Sequence, residues 1–178
     1  MTLLLLAGEM GSGKTTTARE VCQILPARLL SVREHLSQLF EVDSSNRAEM
    51  QERGALLEIT TEGRWVADLL RDERWRVGPV VVDALRTIQQ GRAVLAAFPS
   101  AQIVYLEAGA SVRQARYEAA ADRDGMKRKT DFKSASHHPT EERAAEVREL
   151  ATVVIQNESL ELHEVVSRVI DLVSTVED

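Results

Sequence analysis

Residues 8–15 read Gly8-Glu9-Met10-Gly11-Ser12-Gly13-Lys14-Thr15 and satisfy the pattern G-x-x-x-x-G-K-[ST] at every position. No other feature of the chain constrains its fold as much, because the pattern forms a phosphate cradle only between a buried strand and a helix. Both flanks are present. Leu3-Leu4-Leu5-Leu6-Ala7 is a short apolar run ahead of the loop, and the pattern behind it predicts a helix over Thr15–Leu25. Glycines let the chain turn tightly and aim successive N–H groups at one place, and the helix N-terminus adds a favourable dipole. Gly8, Met10, Gly11, Ser12, Gly13, Lys14, Thr15 and Thr16 are therefore the expected binders of a nucleotide's phosphates. In this reading Lys14 reaches the outer phosphates and the Thr15 hydroxyl ligates Mg²⁺.

Beyond the loop, apolar runs of strand length alternate with helical patterns, which predicts a parallel sheet. The expected strands are Thr2–Ala7, Arg28–Ser31, Pro79–Val82, Ala101–Glu107 and Thr152–Gln156. Val80-Val81-Val82 and Ile103-Val104-Tyr105-Leu106 are continuously apolar, as strands buried on both faces require. Helices are expected over Thr15–Leu25, Val32–Phe40, Arg47–Thr61, Arg64–Arg71, Thr87–Ala97, Ser111–Ala121, Thr140–Leu150 and Leu160–Val173. Thr140, followed by Glu141 and Glu142, reads as an N-cap with acids in the first turn, and Ser159 reads as the cap of the last helix. At 178 residues the chain reads as a single domain, 1–178, with insertions over the strand ends at 42–72 and 121–139.

Charge and cysteine content narrow the class. A net charge of −6 argues against general affinity for nucleic acid or an anionic membrane, and aromatic content of 4% leaves few platforms for stacking bases. Cys22 is the only cysteine, so no internal disulfide can form and a reducing, cytoplasmic setting is expected. Within its helix Cys22 reads as a structural thiol. The N-terminal apolar run is too short, and lacks the basic flank, for a signal peptide, and no stretch has the length of a membrane span.

Ligands of open α/β sheets bind beyond the carboxyl ends of the strands. There the chain places Asp83-Ala84-Leu85-Arg86 after the third strand. Asp83 reads either as a carboxylate that holds Mg²⁺ through water or as an acid that caps the next turn. Arg86 reads as a clamp for a substrate phosphate or as a surface arginine. After the second strand, Glu34 is placed to orient an attacking oxygen, or is an exposed first-turn acid. His35, His137 and His138 lack the spacing or the cysteine partners of a metal site. Arg113 and Arg116 lie three apart on one helix and so share a face. Arg123, Lys127, Arg128 and Lys129 follow in a stretch containing Asp124-Gly125-Met126; they read as a cationic lid over a triphosphate, or as a solvated charged loop.

Together these motifs resemble the P-loop small-molecule kinases of the nucleoside monophosphate kinase group, which includes adenylate kinase and dephospho-coenzyme A kinase. The closest resemblance is to the adenylate-kinase-like and deoxynucleoside monophosphate kinase-like proteins. The residues that carry it are Gly8–Thr15; Val80-Val81-Val82-Asp83-Ala84-Leu85-Arg86, similar to the family's V-I-D-G-I-R; and Val112-Arg113-Gln114-Ala115-Arg116, similar to its V-R-x-x-R helix. Asp131-Phe132, His138-Pro139-Thr140-Glu141 and Val154–Glu161 extend it along most of the chain. The fold implied is the P-loop NTPase three-layer α/β/α sandwich, an α/β fold with a five-stranded parallel sheet and acceptor-lobe and lid insertions.

The activity implied is transfer of the ATP γ-phosphoryl group to a small-molecule acceptor, with Mg²⁺, and a (deoxy)nucleoside monophosphate is the expected acceptor. The resemblance implies that Lys14, Asp83, Arg113, Arg116 and Arg123 serve the transfer, that Asn157 lies against the adenine, and that Glu34, Arg47 and Arg86 meet the acceptor. Gln51 and Gly54 share the helix of Arg47. The chain departs from the family pattern after the second strand, where Glu34 stands near the family's aspartate and Ser37 near its arginine. It departs again at Ala84, which replaces a glycine. Two alternatives accompany this reading: an acceptor that is not a nucleotide, such as dephospho-coenzyme A, and an ATP-binding switch or weak ATPase with no small-molecule acceptor.

Overall fold

The computed structural model describes residues 2–44, 46–75, 78–120 and 131–174. Its centre is a five-stranded sheet in the order β2-β3-β1-β4-β5. The strands are β1 (Leu3–Ala7), β2 (Arg28–Ser31), β3 (Val80–Asp83), β4 (Gln102–Glu107) and β5 (Val153–Gln156). Every pairing is parallel, with Leu5 opposite both Val82 and Ile103, Leu30 opposite Val82, and Leu106 opposite Ile155. This is the expected sheet, with strand ends that differ from the prediction by one residue at most.

Side chains alternate between the two faces, and each face has its own core. Leu3, Leu5, Val80, Val82, Ile103 and Tyr105 face one way, against Val66 and Leu70 of α4 (Trp65–Leu70) and Val94 of α5 (Ile88–Ala97). Leu4, Leu6, Val81, Val104, Leu106 and Ile155 face the other way. They meet Ala18 and Val21 of α1 (Lys14–Ile24) and Val165, Val166 and Val169 of α9 (Leu162–Ser174). Burial on both sides explains the unbroken leucine run of β1, because neither face of the central strand tolerates a polar residue. The result is the three-layer α/β/α sandwich read from the sequence.

The other helices are α2 (Val32–Phe40), α3 (Arg47–Thr61), α6 (Ala110–Ala120), α7 (Phe132–Ser136) and α8 (Pro139–Glu146). Within the 42–72 segment, α4 is buried in the main core, whereas α3 packs on α2 and leaves Leu56 and Ile59 exposed. Ser31, Asn46 and Thr87 cap α2, α3 and α5 by accepting the N–H groups of Glu34, Glu49 and Gln90. Ser37 Oγ donates to the Val42 carbonyl at 2.6 Å just past the end of α2, so the hydroxyl that stands near a family arginine serves the local turn.

Three local expectations need correction. Thr140 is not an N-cap. The helix begins at Pro139, whose missing N–H is harmless in a first turn, and the His138 carbonyl accepts the Glu141 N–H at 2.8 Å. The stretch to Leu150 is not continuous α-helix either, since Val147–Leu150 tightens to a 3₁₀ turn ahead of β5. Ser159 does not cap the last helix. That helix starts at Leu162, and the Glu164 carboxylate reaches back to the Glu161 N–H at 2.8 Å. Two short elements escaped the sequence reading: a 3₁₀ turn at Glu73–Trp75, and α7, which Asp131 caps through the Ser134 N–H at 2.9 Å.

Candidate active site

The switch in strand order falls at β1, between β3 and β4. Leu6 is paired with Asp83, so the carboxyl end of β3 lies beside the start of the phosphate loop. Gly8, Gly11 and Gly13 take positive φ values of 138°, 82° and 100°. Gly11 shows why a side chain is excluded: a Cβ would stand 2.5 Å from the Arg113 carbonyl oxygen, against the first turn of α6.

Lys14 is buried, and its Nζ donates to the Gly8 and Glu9 carbonyls at 2.7 Å each. Burial is the main cause that lowers its pKa from 10.5 to about 8. The Arg86 charge lowers it further, Glu141 and Asp83 oppose that shift, and Arg113 adds a smaller lowering. Asp83 is buried at the strand end. Its carboxylate and the Thr15 hydroxyl are hard oxygen donors, the chemistry that suits Mg²⁺, and both residues line the cavity between α2, α3 and the end of β3.

The two arginines of α6 do not share a role. Arg113 turns inward beneath the loop, where Nη2 meets the Glu9 carboxylate at 2.9 Å and Nε donates to the Ala108 carbonyl at 3.0 Å. Its Nη1 donates to the Met10 carbonyl at 3.4 Å. Arg113 thus braces the loop through Glu9 and Met10, while Arg116 lines the open groove. Arg116 Nη1 is buried with no hydrogen-bond partner among the described residues. Arg123 and the rest of the expected lid cations, Lys127, Arg128 and Lys129, lie outside the described residues, as does the side chain of Arg47 at the start of α3.

Asn157 is buried and donates its side-chain N–H to the Ser12 carbonyl at 2.8 Å, so it too holds the loop. Along with Leu160 and Leu162 it closes the end of the groove away from β3. This groove, of about 400 Å³, runs over Gly11, Gly13, Lys14, Thr15 and Thr16.

A second cavity, of about 220 Å³, opens between α2, α3 and the end of β3. Ser31, Glu34, Gln51, Gly54, Asp83 and Ala84 line it, so Glu34 meets Gln51 and Gly54 of α3 around one space. Its far wall is a polar network that the sequence did not reveal. The Glu58 carboxylate accepts from Trp65 Nε1 at 3.2 Å, from Gln90 Nε2 at 2.8 Å and from the Thr87 hydroxyl. His35 stacks on the Trp65 ring at 6.5 Å, and burial, followed by the nearby Arg74 charge, lowers its pKa. Met10, Thr15, Arg33 and Arg86 border both the groove and the cavity. Arg33 has no role in the sequence reading. The fold gives it a place, lining both spaces beside Met10 and Thr15.

A parallel sheet in this order, with a glycine loop between β1 and α1 and an acid ending β3, defines a P-loop kinase fold, and such a loop implies nucleotide binding. The chain belongs to the AAA domain family AAA_33, whose model matches residues 3–150. Among curated proteins none is similar to it in sequence. Several solved structures share the fold at low identity. Shikimate kinase from Acinetobacter baumannii, solved in complex with shikimate, superposes with a TM-score of 0.64 at 16% identity, over 98% of this chain and 93% of its own. A gluconokinase from Sinorhizobium meliloti 1021 gives 0.56 at 17% identity, over 98% and 93%. The tunicamycin resistance protein of Deinococcus radiodurans gives 0.59 at 18% identity, over 97% and 96%. Among the described residues, no helix is long and apolar enough to cross a membrane.

Proposed function

We propose that this chain is an ATP-dependent phosphotransferase that moves the γ-phosphoryl group to a small-molecule acceptor. The observation that carries the proposal is the shared border of the two cavities. A triphosphate laid along the loop ends at Thr15, Arg33 and Arg86, the residues that also border the second cavity. An acceptor oxygen held there attacks the γ-phosphorus in line as the bond to the ADP oxygen breaks, a transfer governed by positioning and charge. Lys14 and the loop amides hold the phosphates, Arg116 and Arg86 counter the charge that develops, and Glu34 orients the acceptor. The Thr15 hydroxyl and, through water, Asp83 are the residues that would hold Mg²⁺, which when bound neutralises charge on the phosphates. A nucleotide switch has no need of a second cavity beside the terminal phosphate, so the geometry favours transfer over switching.

The sequence motifs favour a (deoxy)nucleoside monophosphate as acceptor, with Arg47 and Arg86 on its phosphate. One set of observations favours a smaller acceptor that is not a nucleotide. The cavity's 220 Å³ falls below the roughly 300 Å³ at which drug-sized pockets begin. Its aromatic side chains are also engaged, Trp65 by His35 and Tyr117 by Phe132 at 5.7 Å. Shikimate, the ligand of one similar structure, belongs to this smaller class. Release of ADP from Mg·ATP, measured with and without each member of an acceptor panel, tests both readings. The panel spans ribo- and deoxynucleoside monophosphates, nucleosides, dephospho-coenzyme A, and small hydroxylated acids and sugars. Stimulation by one class identifies the acceptor; a rate that no acceptor changes contradicts the transferase reading.

A further inference from the structure

The sequence reading gives Glu141 no role beyond the start of a helix, yet its carboxylate lies where the site's elements meet. It is 5% exposed, on the first turn of α8. One carboxylate oxygen, Oε1, contacts Arg86 Nη1 at 2.6 Å, and the other, Oε2, accepts the Met10 N–H at 3.1 Å. The two donors belong to different elements: Met10 lies in the loop after β1, and Arg86 in the link from β3 to α5. Arg86's backbone is fixed separately, its N–H donating to Gln90 Oε1 at 2.9 Å. Its guanidinium is therefore the part that Glu141 orients, through a short charge-assisted bond. That guanidinium stands on the border of both cavities, where a terminal phosphoryl group would lie.

We propose that Glu141 is a positioning residue for phosphoryl transfer: anchored to the loop by the Met10 N–H, it holds the Arg86 guanidinium at the end of the triphosphate site. Glu141 acts through Arg86 and does not itself meet the phosphates. Its influence falls on the terminal phosphoryl group, which ATP carries and ADP lacks. A carboxylate that merely filled space would weaken both nucleotides alike. One that competed with phosphate for the same donors would make ATP bind more tightly once its charge was removed.

This inference rests on the nucleotide reading of the loop, and binding of Mg·ATP and Mg·ADP by the wild-type chain is the control for that reading. A chain that binds neither refutes the proposed function and this inference with it. Given binding, titration calorimetry on wild type, Glu141→Gln, Arg86→Gln and the double variant isolates the role of Glu141. Glu141→Gln is expected to weaken Mg·ATP about tenfold and Mg·ADP less than about twofold, and in the Arg86→Gln background to add less than about twofold. Equal losses for both nucleotides, a gain in ATP affinity, or the same loss with and without Arg86 would each overturn the assignment. Glu141→Asp keeps the charge but draws it back by one methylene. Should Glu141→Gln fail to fold, Glu141→Asp carries the same measurement, and wild-type ATP selectivity in that variant would overturn the assignment as well.

Discussion

Lys14 shows how burial and neighbouring charge tune a single residue. A lysine whose native pKa is about 8, against 10.5 when unfolded, binds fewer protons folded than unfolded between those values. Its contribution to stability therefore rises with pH across that window, and below about 8 the cost of burying its charge is felt in full. Phosphate binding reverses the preference, because an anion beside the ammonium holds the proton. ATP binding at about pH 8.5 is thus expected to take up a proton, and ATP affinity to fall as pH rises through the native pKa. Calorimetry in two buffers of different ionisation enthalpy measures the uptake; no uptake, or the same uptake in Lys14→Ala, contradicts the account. Gly11 gives a second residue-scale prediction. With φ at 82° and the Arg113 carbonyl 2.5 Å from where a Cβ would be, Gly11→Ala must move the loop or α6. Strain of about 1–3 kcal/mol at such a site corresponds to roughly 5- to 150-fold in ATP affinity. Unchanged binding would show that the loop relaxes without loss.

At the scale of elements, α3, α4 and the start of α5 are joined by Glu58. Removing its carboxylate leaves the buried Gln90 and Thr87 side chains, 3% and 4% exposed, without that partner. Glu58→Ala is expected to cost about 3 kcal/mol, or roughly 6–12 °C in Tm for a chain of this size. A calorimetric Tm within a degree or two of wild type would refute the network's role. Glu58 also marks where sequence reading stopped. The helix that carries it was predicted from Arg47 to Thr61, its observed limits, because apolar periodicity and turn residues are local signals. The partners of Glu58 lie 7, 29 and 32 residues away, and no local pattern announces such contacts. Arg113 is a like case: its contacts with Glu9 and Met10 join residues far apart in the chain, and its spacing from Arg116 does not announce them. Thr140 lost its cap to Pro139, whose ring suits a helix's first turn better than the position before it.

For the whole molecule, the sheet was legible because the inner strands β1, β3 and β4 are buried on both faces and read as apolar runs, whereas the edge strands β2 and β5 are only partly buried. The phosphate loop was legible because its residues are contiguous in sequence, whereas Arg33, Arg86, Arg116 and Asn157 reach the same groove from elsewhere in the chain. The second cavity was not, since α2, α3 and the ends of β3 and α8 build it from segments far apart in the chain. The central claim is that these two spaces exchange a phosphoryl group across their shared border. If Arg116 counters the charge of transfer, Arg116→Ala should lower turnover by a factor on the order of 10³. A rise confined to the KM for ATP would reduce its part to nucleotide binding. The most direct measurement follows the fate of γ-labelled ATP with the purified protein and the acceptor panel, alongside Lys14→Ala. The account predicts label on one class of small molecule, dependent on Lys14. Label found only as inorganic phosphate, or carried to an acceptor equally well by Lys14→Ala, would contradict it.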